Sequence, residues 1–384
     1  MSHCIGIDAR KAQDFGIGTY IRHLVDGLGK LDTANQYLLF VGPQAREAFA
    51  DVPPNFRLVA EAAPVYSARE LIALSWKLWR LRVDLYHATH YVLPTWVPGK
   101  AIVTIHDLIH LLYPEFLPSP LAYFYAQRMI RHSLDRGDAV LAISERTKRD
   151  LMEFFDVRGD KIEVVPLGVS GRFAVPVPEP QRRALLERLG IRRPYVLFVG
   201  NPKPHKNLDT VLRAWARACH TGTVDAELVC VGDRGPGDFK LRQIAEQAGI
   251  ADRLRLVGHV ADEELPAIYQ GASVFLFPTL HEGFGLPVVE AMAAGVPVVT
   301  SNRSALREVA EGAAQLVDPL DVEAIAAAVL RCLREEEHRE RLIRLGRQRA
   351  ETYTWQRTAA RTLAIYREQL GERREPFAEA EPAP

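Results

Sequence analysis

Short apolar runs alternate with longer stretches of helical spacing along the whole chain. In the first half the runs lie at 4–7, 37–41, 56–59, 83–86, 101–105, 139–143 and 162–165. Stretches with apolar residues three and four apart lie between several of them, as at 19–30 and 69–81. Strand–helix alternation of this kind predicts a parallel sheet covered by helices on both faces. The pattern breaks at Val175-Pro176-Val177-Pro178-Glu179-Pro180. Proline fixes φ and lacks an N–H, so this stretch is expected outside sheet and helix. The alternation restarts with runs at 195–199, 227–231, 254–256, 274–277, 296–299 and 315–317, each followed by a helical pattern. The expected organisation is a first domain at 1–170, a linker at 171–194 holding a short helix at 181–189, and a second domain at 195–353. A helix at 354–370, able to cross back to the first domain, and a frayed tail at 371–384 complete it.

Length agrees with two cores, since 384 residues exceed one ordinary domain of ~100–200. Lys plus Arg and Asp plus Glu each number 48, a balance that asks for no nucleic-acid partner. The four cysteines are scattered, with no C-x-x-C and no Cys/His cluster, so buried reduced thiols are expected rather than disulfides or a metal site. Ile5-Gly6-Ile7-Asp8 reads as a first strand, with no basic segment leading into an apolar one, and no run of ~18 apolar residues follows anywhere. A cytoplasmic address is the expectation.

Open α/β sheets bind ligands at the carboxyl ends of their strands, so the residues just after each run carry the interest. After the run 274–277 comes Pro278-Thr279-Leu280-His281-Glu282-Gly283-Phe284-Gly285-Leu286-Pro287-Val288-Val289-Glu290. A glycine-containing turn leads into a helix start, where free N–H groups and the dipole favour an anion. Glu282 and Glu290 can each accept paired hydrogen bonds from neighbouring hydroxyls of a sugar or ribose. After the run 195–199 comes Gly200-Asn201-Pro202-Lys203-Pro204-His205-Lys206-Asn207, which can place an ammonium on a phosphate. In the first half, Asp14-Phe15-Gly16-Ile17-Gly18-Thr19-Tyr20 reads as a glycine loop entering a helix, and His106-Asp107 ends the run 101–105. His87 and His90 follow the run 83–86 and could line an acceptor cleft. No Asp-x-Asp occurs that could hold a divalent ion against a diphosphate.

The segment from Glu282 through Glu290 resembles the E-x7-E motif of glycosyltransferase family 4, the retaining GT-B enzymes, and likeness to that family extends over most of 195–335. The resemblance implies an α/β fold of two Rossmann-like, doubly wound domains facing across a cleft. It implies a nucleotide-diphosphate sugar as donor and a saccharide or lipid-linked saccharide as acceptor. Glu282 would contact the donor sugar, Glu290 the ribose, Gly283, Phe284, Gly285 and Leu286 the distal phosphate, and Lys206 the leaving diphosphate. Main-chain groups near Val260 would meet the base. Where many relatives carry an arginine this chain has Asn201 and His205, and Lys203 is the candidate for the second positive charge. The loop at Gly16 and Gly18 resembles that of bacterial mannosyl- and rhamnosyltransferases in the family, which places both glycines at the diphosphate and points to GDP-mannose, while the strand-end position of His106 and Asp107 and the family match at His-Asp give these two catalytic roles on the reacting sugar. No cofactor and no metal are expected. Rival readings are an epimerase or phosphorylase on the same fold, and a non-catalytic sugar-nucleotide-binding protein.

Residues 69–82 set Trp76 and Trp79 among Lys77, Arg80 and Arg82. Such a helix either packs its tryptophans on the sheet, the plainer reading, or lies on a membrane surface and gives the chain a peripheral place at the inner membrane face.

Overall fold

The computed structural model describes residues 2–117, 119–192, 194–222, 224–232 and 236–372. The tail expected to fray lies outside the described residues from 373 onward. The chain divides into two compact units, one of residues 1–168 with 354–384, the other of residues 169–353.

The first unit holds β1 (Cys4–Asp8), β2 (Gln36–Val41), β3 (Phe56–Ala60), β4 (Leu85–Ala88), β5 (Lys100–Ile105), β6 (Ala139–Ala142) and β7 (Ile162–Val164). They form one parallel sheet in the order β3-β2-β1-β4-β5-β6-β7. Helices α1 (Phe15–Leu31), α2 (Ala68–Arg80), α3 (Ile109–Leu112), α4 (Pro120–Arg136) and α5 (Glu145–Phe155) follow in turn. Ser67, Ser119 and Ser144 cap α2, α4 and α5 through their side chains, each worth about 1 kcal/mol. Leu38, Phe40, Tyr86, Val103 and Ile105 on the strands and Leu74, Leu78, Ile130 and Leu151 on the helices fill a common core.

The second unit holds β8 (Tyr195–Val199), β9 (Glu227–Val231), β10 (Leu254–Val257), β11 (Val274–Phe277), β12 (Val298–Ser301) and β13 (Gln315–Val317), parallel in the order β10-β9-β8-β11-β12-β13. Its helices are α6 (Glu179–Arg188), α7 (Leu208–Cys219), α8 (Pro236–Gln247), α9 (Leu265–Gly271), α10 (Leu286–Ala293), α11 (Ser304–Ala310), α12 (Val322–Arg334) and α13 (Glu336–Glu351). Phe198, Phe275 and Phe277 meet ring to ring within its sheet. The last helix, α14 (Trp355–Gln369), belongs to the first unit, where it lies along α1. Trp355 stacks on His23 there at 4.7 Å, and Thr358 donates to the Pro166 carbonyl at 2.7 Å.

Outside the candidate site, four sequence expectations change in the structure. The run at 83–86 becomes β4 at Leu85–Ala88, because Arg82 takes φ 53° and Val83 donates to Leu78, closing α2 with a left-handed cap. The run at 296–299 becomes β12 at Val298–Ser301, since Pro297 has no N–H to give a ladder. Pro180 lies inside the first turn of α6, where a missing N–H costs nothing. The tryptophans of α2 do not pack on the sheet. Leu74 and Leu78 do so, whereas Trp76 and Trp79 are 55% and 58% exposed.

Candidate active site

Strand order reverses between β8 and β11 in the second sheet. The chain leaves both strands there in opposite directions, which opens a crevice at their carboxyl ends. Two loops border this point, Gly200–Asn207 after β8 and Pro278–Gly285 after β11. The Leu280 N–H donates to the His205 carbonyl at 2.8 Å, and Asn207 Nδ2 donates to the carbonyls of Pro278 and Pro319 at 2.9 and 2.7 Å. These bonds lock one loop to the other. They bring Lys206 Nζ to 2.8 Å from Glu282 Oε1, with the ammonium 5.1 Å from the centre of the Phe277 ring. Glu282 itself is buried, and its backbone N–H is held by Ser304 Oγ at 3.1 Å. Ser304, with φ 53°, and Asn207, with φ 61°, are non-glycine residues in the left-handed region, a strain that clusters at working sites. Neither was singled out from sequence, since nothing near Ser304 marks it as a partner of Glu282.

Gly285 turns the chain into α10 with φ 106°, a conformation that L side chains rarely adopt, and a Cβ there would lie 2.4 Å from Leu306 Cδ2. Gly283 through Leu286 therefore form the approach to a helix start with Pro287 in its first turn, the geometry that suits an anion. Glu290 follows on the same helix and accepts from Tyr269 Oη at 3.0 Å. Burial pushes the Glu290 carboxyl up to about 7, although the Tyr269 hydroxyl and the Arg172 charge work against it. Tyr269 and Arg172 are further residues that spacing alone does not reveal.

Among the remaining second-unit candidates, Lys203 is exposed and caps the short turn Pro204–Lys206. Its carbonyl accepts the Lys206 N–H at 2.9 Å, but among the described residues no ion pair or side-chain hydrogen bond joins it to the Lys206–Glu282 pair. Val260 is buried three residues beyond β10. An open groove of about 650 Å³ runs along β10, lined by Arg188, Arg242, Arg255 and His259 among others, and contains neither Lys206 nor Glu282.

The first sheet reverses between β1 and β4. Asp8, at the end of β1, is bound by Arg10 through Nε at 2.9 Å and Nη2 at 2.6 Å, and Arg10 also meets Glu70 at 2.8 Å. Burial would raise the Asp8 carboxyl, but the guanidinium outweighs it and holds the group at about 2. Glu70 also accepts the N–H groups of Tyr66 and Ser67, completing the S-x-x-E capping box that the sequence carries at Ser67.

His106 follows β5, and its Nε2 lies 2.9 Å from the Thr89 carbonyl. A carbonyl only accepts, so Nε2 carries the proton. Burial lowers the His106 pKa, with Thr89 and Asp107 opposing, so the ring is neutral near pH 7 and presents Nδ1 as an acceptor. Asp107 Oδ1 takes the Ile109 N–H at 3.0 Å. His87 has a structural place. It is fully buried, with Nδ1 2.5 Å from Tyr366 Oη and Nε2 2.7 Å from Thr104 Oγ1, so it ties α14 to the sheet. His90 is buried beside Asp8, 3.8 Å away, and burial lowers its pKa to about 4.

The sequence predicts a loop at Gly16 and Gly18 before a helix at 19–30, but α1 starts at Phe15 and includes both. The Gly18 N–H is already bonded to the Asp14 carbonyl at 2.8 Å, and a Cβ on Gly18 would fall 2.5 Å from the Ala12 carbonyl oxygen. Gly18 thus serves close packing, while Gly16 faces open space.

Residues 16–170 match the family described as Glycosyltransferase Family 4, and residues 182–349 that described as Glycosyl transferases group 1. The chain is 30% identical over 294 residues to O-antigen chain mannosyltransferase B of Escherichia coli, covering 76% of each. It is 28% identical over 268 residues to the serotype-specific mannosyltransferase WbdA of Escherichia coli, covering 68% of this chain but only 33% of that longer protein. Its fold matches the structure of sucrose-phosphate synthase from Thermosynechococcus elongatus with TM-score 0.80 at 22% identity, over 96% of this chain and 99% of that one. Two parallel Rossmann-like sheets, one with a lysine–carboxylate pair at its strand reversal, and a relative aligned over three quarters of both chains lead to one conclusion: the chain belongs to the family 4 (group 1) glycosyltransferases of GT-B fold and is a hexosyltransferase.

Proposed function

We propose that this enzyme transfers mannose from GDP-mannose, with retention of configuration, to a glycan or lipid-linked saccharide. It does so in the cytoplasm, and at the inner membrane face when the acceptor is lipid-linked. The observation that carries the reading is the Lys206–Glu282 pair at the strand reversal of the second sheet. A donor sugar and its leaving phosphate are joined through a single oxygen, so an ammonium and a carboxylate side by side can engage both at once. As the glycosidic bond breaks, charge grows on the phosphate oxygen, and Lys206 with the amides of Gly283, Phe284, Gly285 and Leu286 stabilises it. Glu282 orients the sugar hydroxyls, Glu290 accepts from the ribose, and main-chain groups near Val260 meet the base. Gly16 approaches the diphosphate at the start of α1, where a side chain is absent. In the first unit, neutral His106 accepts from a sugar hydroxyl through Nδ1, with Asp107 beside it. Mannose is supported by the likeness to O-antigen chain mannosyltransferase B, and the cytoplasm by four free thiols, two of them buried.

The test is a transfer assay with GDP-mannose and a saccharide acceptor, reading released GDP by chromatography and the product anomer by NMR. GDP release that requires acceptor, with the donor's α-configuration kept, is expected. Equal release without acceptor, an inverted product, or turnover with UDP-sugars alone would contradict the proposal.

A further inference from the structure

Helix α2 is apolar on two opposite faces. At 3.6 residues per turn, Ile72, Trp76 and Trp79 fall within about 60° of one another, and Leu74 and Leu78 lie on the other side. The second pair is buried in the core of the first unit. The first set is not covered, with Ile72 71%, Trp76 55% and Trp79 58% exposed. Trp96, 52% exposed, joins the same surface, because its N–H donates to Ser75 Oγ at 3.1 Å while the Thr95 N–H donates to the Leu71 carbonyl at 3.1 Å.

The exposed charged residues of the segment 69–82 are of one sign. Arg69, Arg80 and Arg82 are exposed, and the Arg80 guanidinium sits 5.3 Å from the centre of the Trp76 ring. The nearby carboxylates are taken up elsewhere. Glu70 is buried against Arg10, and Glu61 is buried against Lys77 at 2.6 Å. Among the described residues no ion pair holds Arg69, Arg80 or Arg82. An exposed stripe of three tryptophans and an isoleucine is costly in water, and tryptophan with arginine is the pairing that suits a lipid headgroup layer. A protein partner matched to the tryptophans alone would leave the arginines without a role, whereas an anionic bilayer answers both.

We propose that α2 with Trp96 is a docking surface for an anionic lipid bilayer, with Ile72, Trp76, Trp79 and Trp96 entering the interfacial layer and Arg69, Arg80 and Arg82 meeting lipid phosphates. The contact stands by itself. Its use, bringing the chain to a lipid-linked acceptor, rests on the proposed transfer.

The test is co-sedimentation of the full chain with phosphatidylglycerol–phosphatidylethanolamine vesicles and, separately, with pure phosphatidylcholine vesicles, together with tryptophan emission. Wild type is expected to sediment with the anionic vesicles and shift its emission to the blue, with weaker binding to neutral ones. The double variant Trp76→Ser/Trp79→Ser and the double variant Arg69→Glu/Arg80→Glu should each weaken anionic binding by about ten-fold or more. Both should keep wild-type transfer to a water-soluble saccharide, which shows that they fold. No sedimentation of wild type with anionic vesicles, or undiminished binding of the tryptophan variant, would overturn the proposal. So would a Trp76- and Trp79-dependent dimer by light scattering in a chain that ignores vesicles. A chain that binds vesicles but transfers no sugar would refute the proposed function and leave this inference intact.

Discussion

Glu282 and Glu290 stand eight positions apart but in different surroundings. Glu282 is buried and paired with an ammonium at 2.8 Å, whereas Glu290 is half-buried and accepts from a tyrosine hydroxyl. If Glu282 orients the reacting sugar, Glu282→Ala should lower kcat/KM by roughly 10²–10³, or ~3–4 kcal/mol, the scale of a lost transition-state hydrogen bond. Steady-state kinetics with a fixed acceptor checks this, and near-normal turnover would end that role. Glu290 makes a pH prediction. Its folded pKa of about 7 lies above the ordinary carboxyl value, so the fold favours the neutral acid. That contribution is full below the unfolded pKa and is lost as pH rises through about 7. Glu290→Gln keeps the neutral form at every pH. It should therefore raise the melting temperature of the free protein at pH 8, leave it unchanged at pH 4, and weaken GDP binding at both. About 1 kcal/mol corresponds to about 2–4 °C for a unit of this size. A stabilisation equal at both pH values would mean that the carboxyl is not desolvated.

At the scale of elements, the start of α1 separates packing from ligand approach. Gly18→Ala drives a Cβ into the backbone carbonyl of Ala12 and should destabilise the fold by about 1–3 kcal/mol, seen as a lower melting temperature. Gly16→Ala meets nothing within 4 Å and replaces a helical glycine, so it should be neutral or stabilising by up to about 1 kcal/mol. If Gly16 lets a phosphate come close, its variant loses transfer rate without losing stability. A rate unchanged by Gly16→Ala would remove that role. The strands were legible because a parallel strand buried on both faces reads as a near-unbroken apolar run, and β8, β9 and β11 fall where the runs do. The ends that moved did so for backbone reasons outside the apolar pattern, namely the left-handed Arg82 and the missing N–H of Pro297. Lys206, Glu282 and Glu290 were legible in the loops and helix start after strands, but Ser304, which holds the Glu282 N–H, Tyr269, which donates to Glu290, and Asn207, which ties the two loops, were not. Those come from separate elements, and only the folded sheet brings them together. His87 shows the reverse case, a strand-end histidine whose two nitrogens are consumed inside the fold.

The whole molecule holds two parallel-sheet units, and under the proposed function the donor's negative charge falls to one ammonium and a helix start of the second. Activity should therefore survive a chelator, measured as GDP release in excess EDTA, and its abolition would expose a divalent-ion requirement. Nucleoside diphosphate at 100 times its Kd should stabilise the protein by about 2.7 kcal/mol, readable as a thermal shift. The most direct test of the account is calorimetric titration of GDP into wild type and Lys206→Ala. Loss of one charge-assisted contact, ~1.5–3 kcal/mol, should weaken Kd by roughly 10- to 150-fold. An unchanged Kd would show that the diphosphate does not rest on Lys206, and the site described at the strand reversal would not be the donor site.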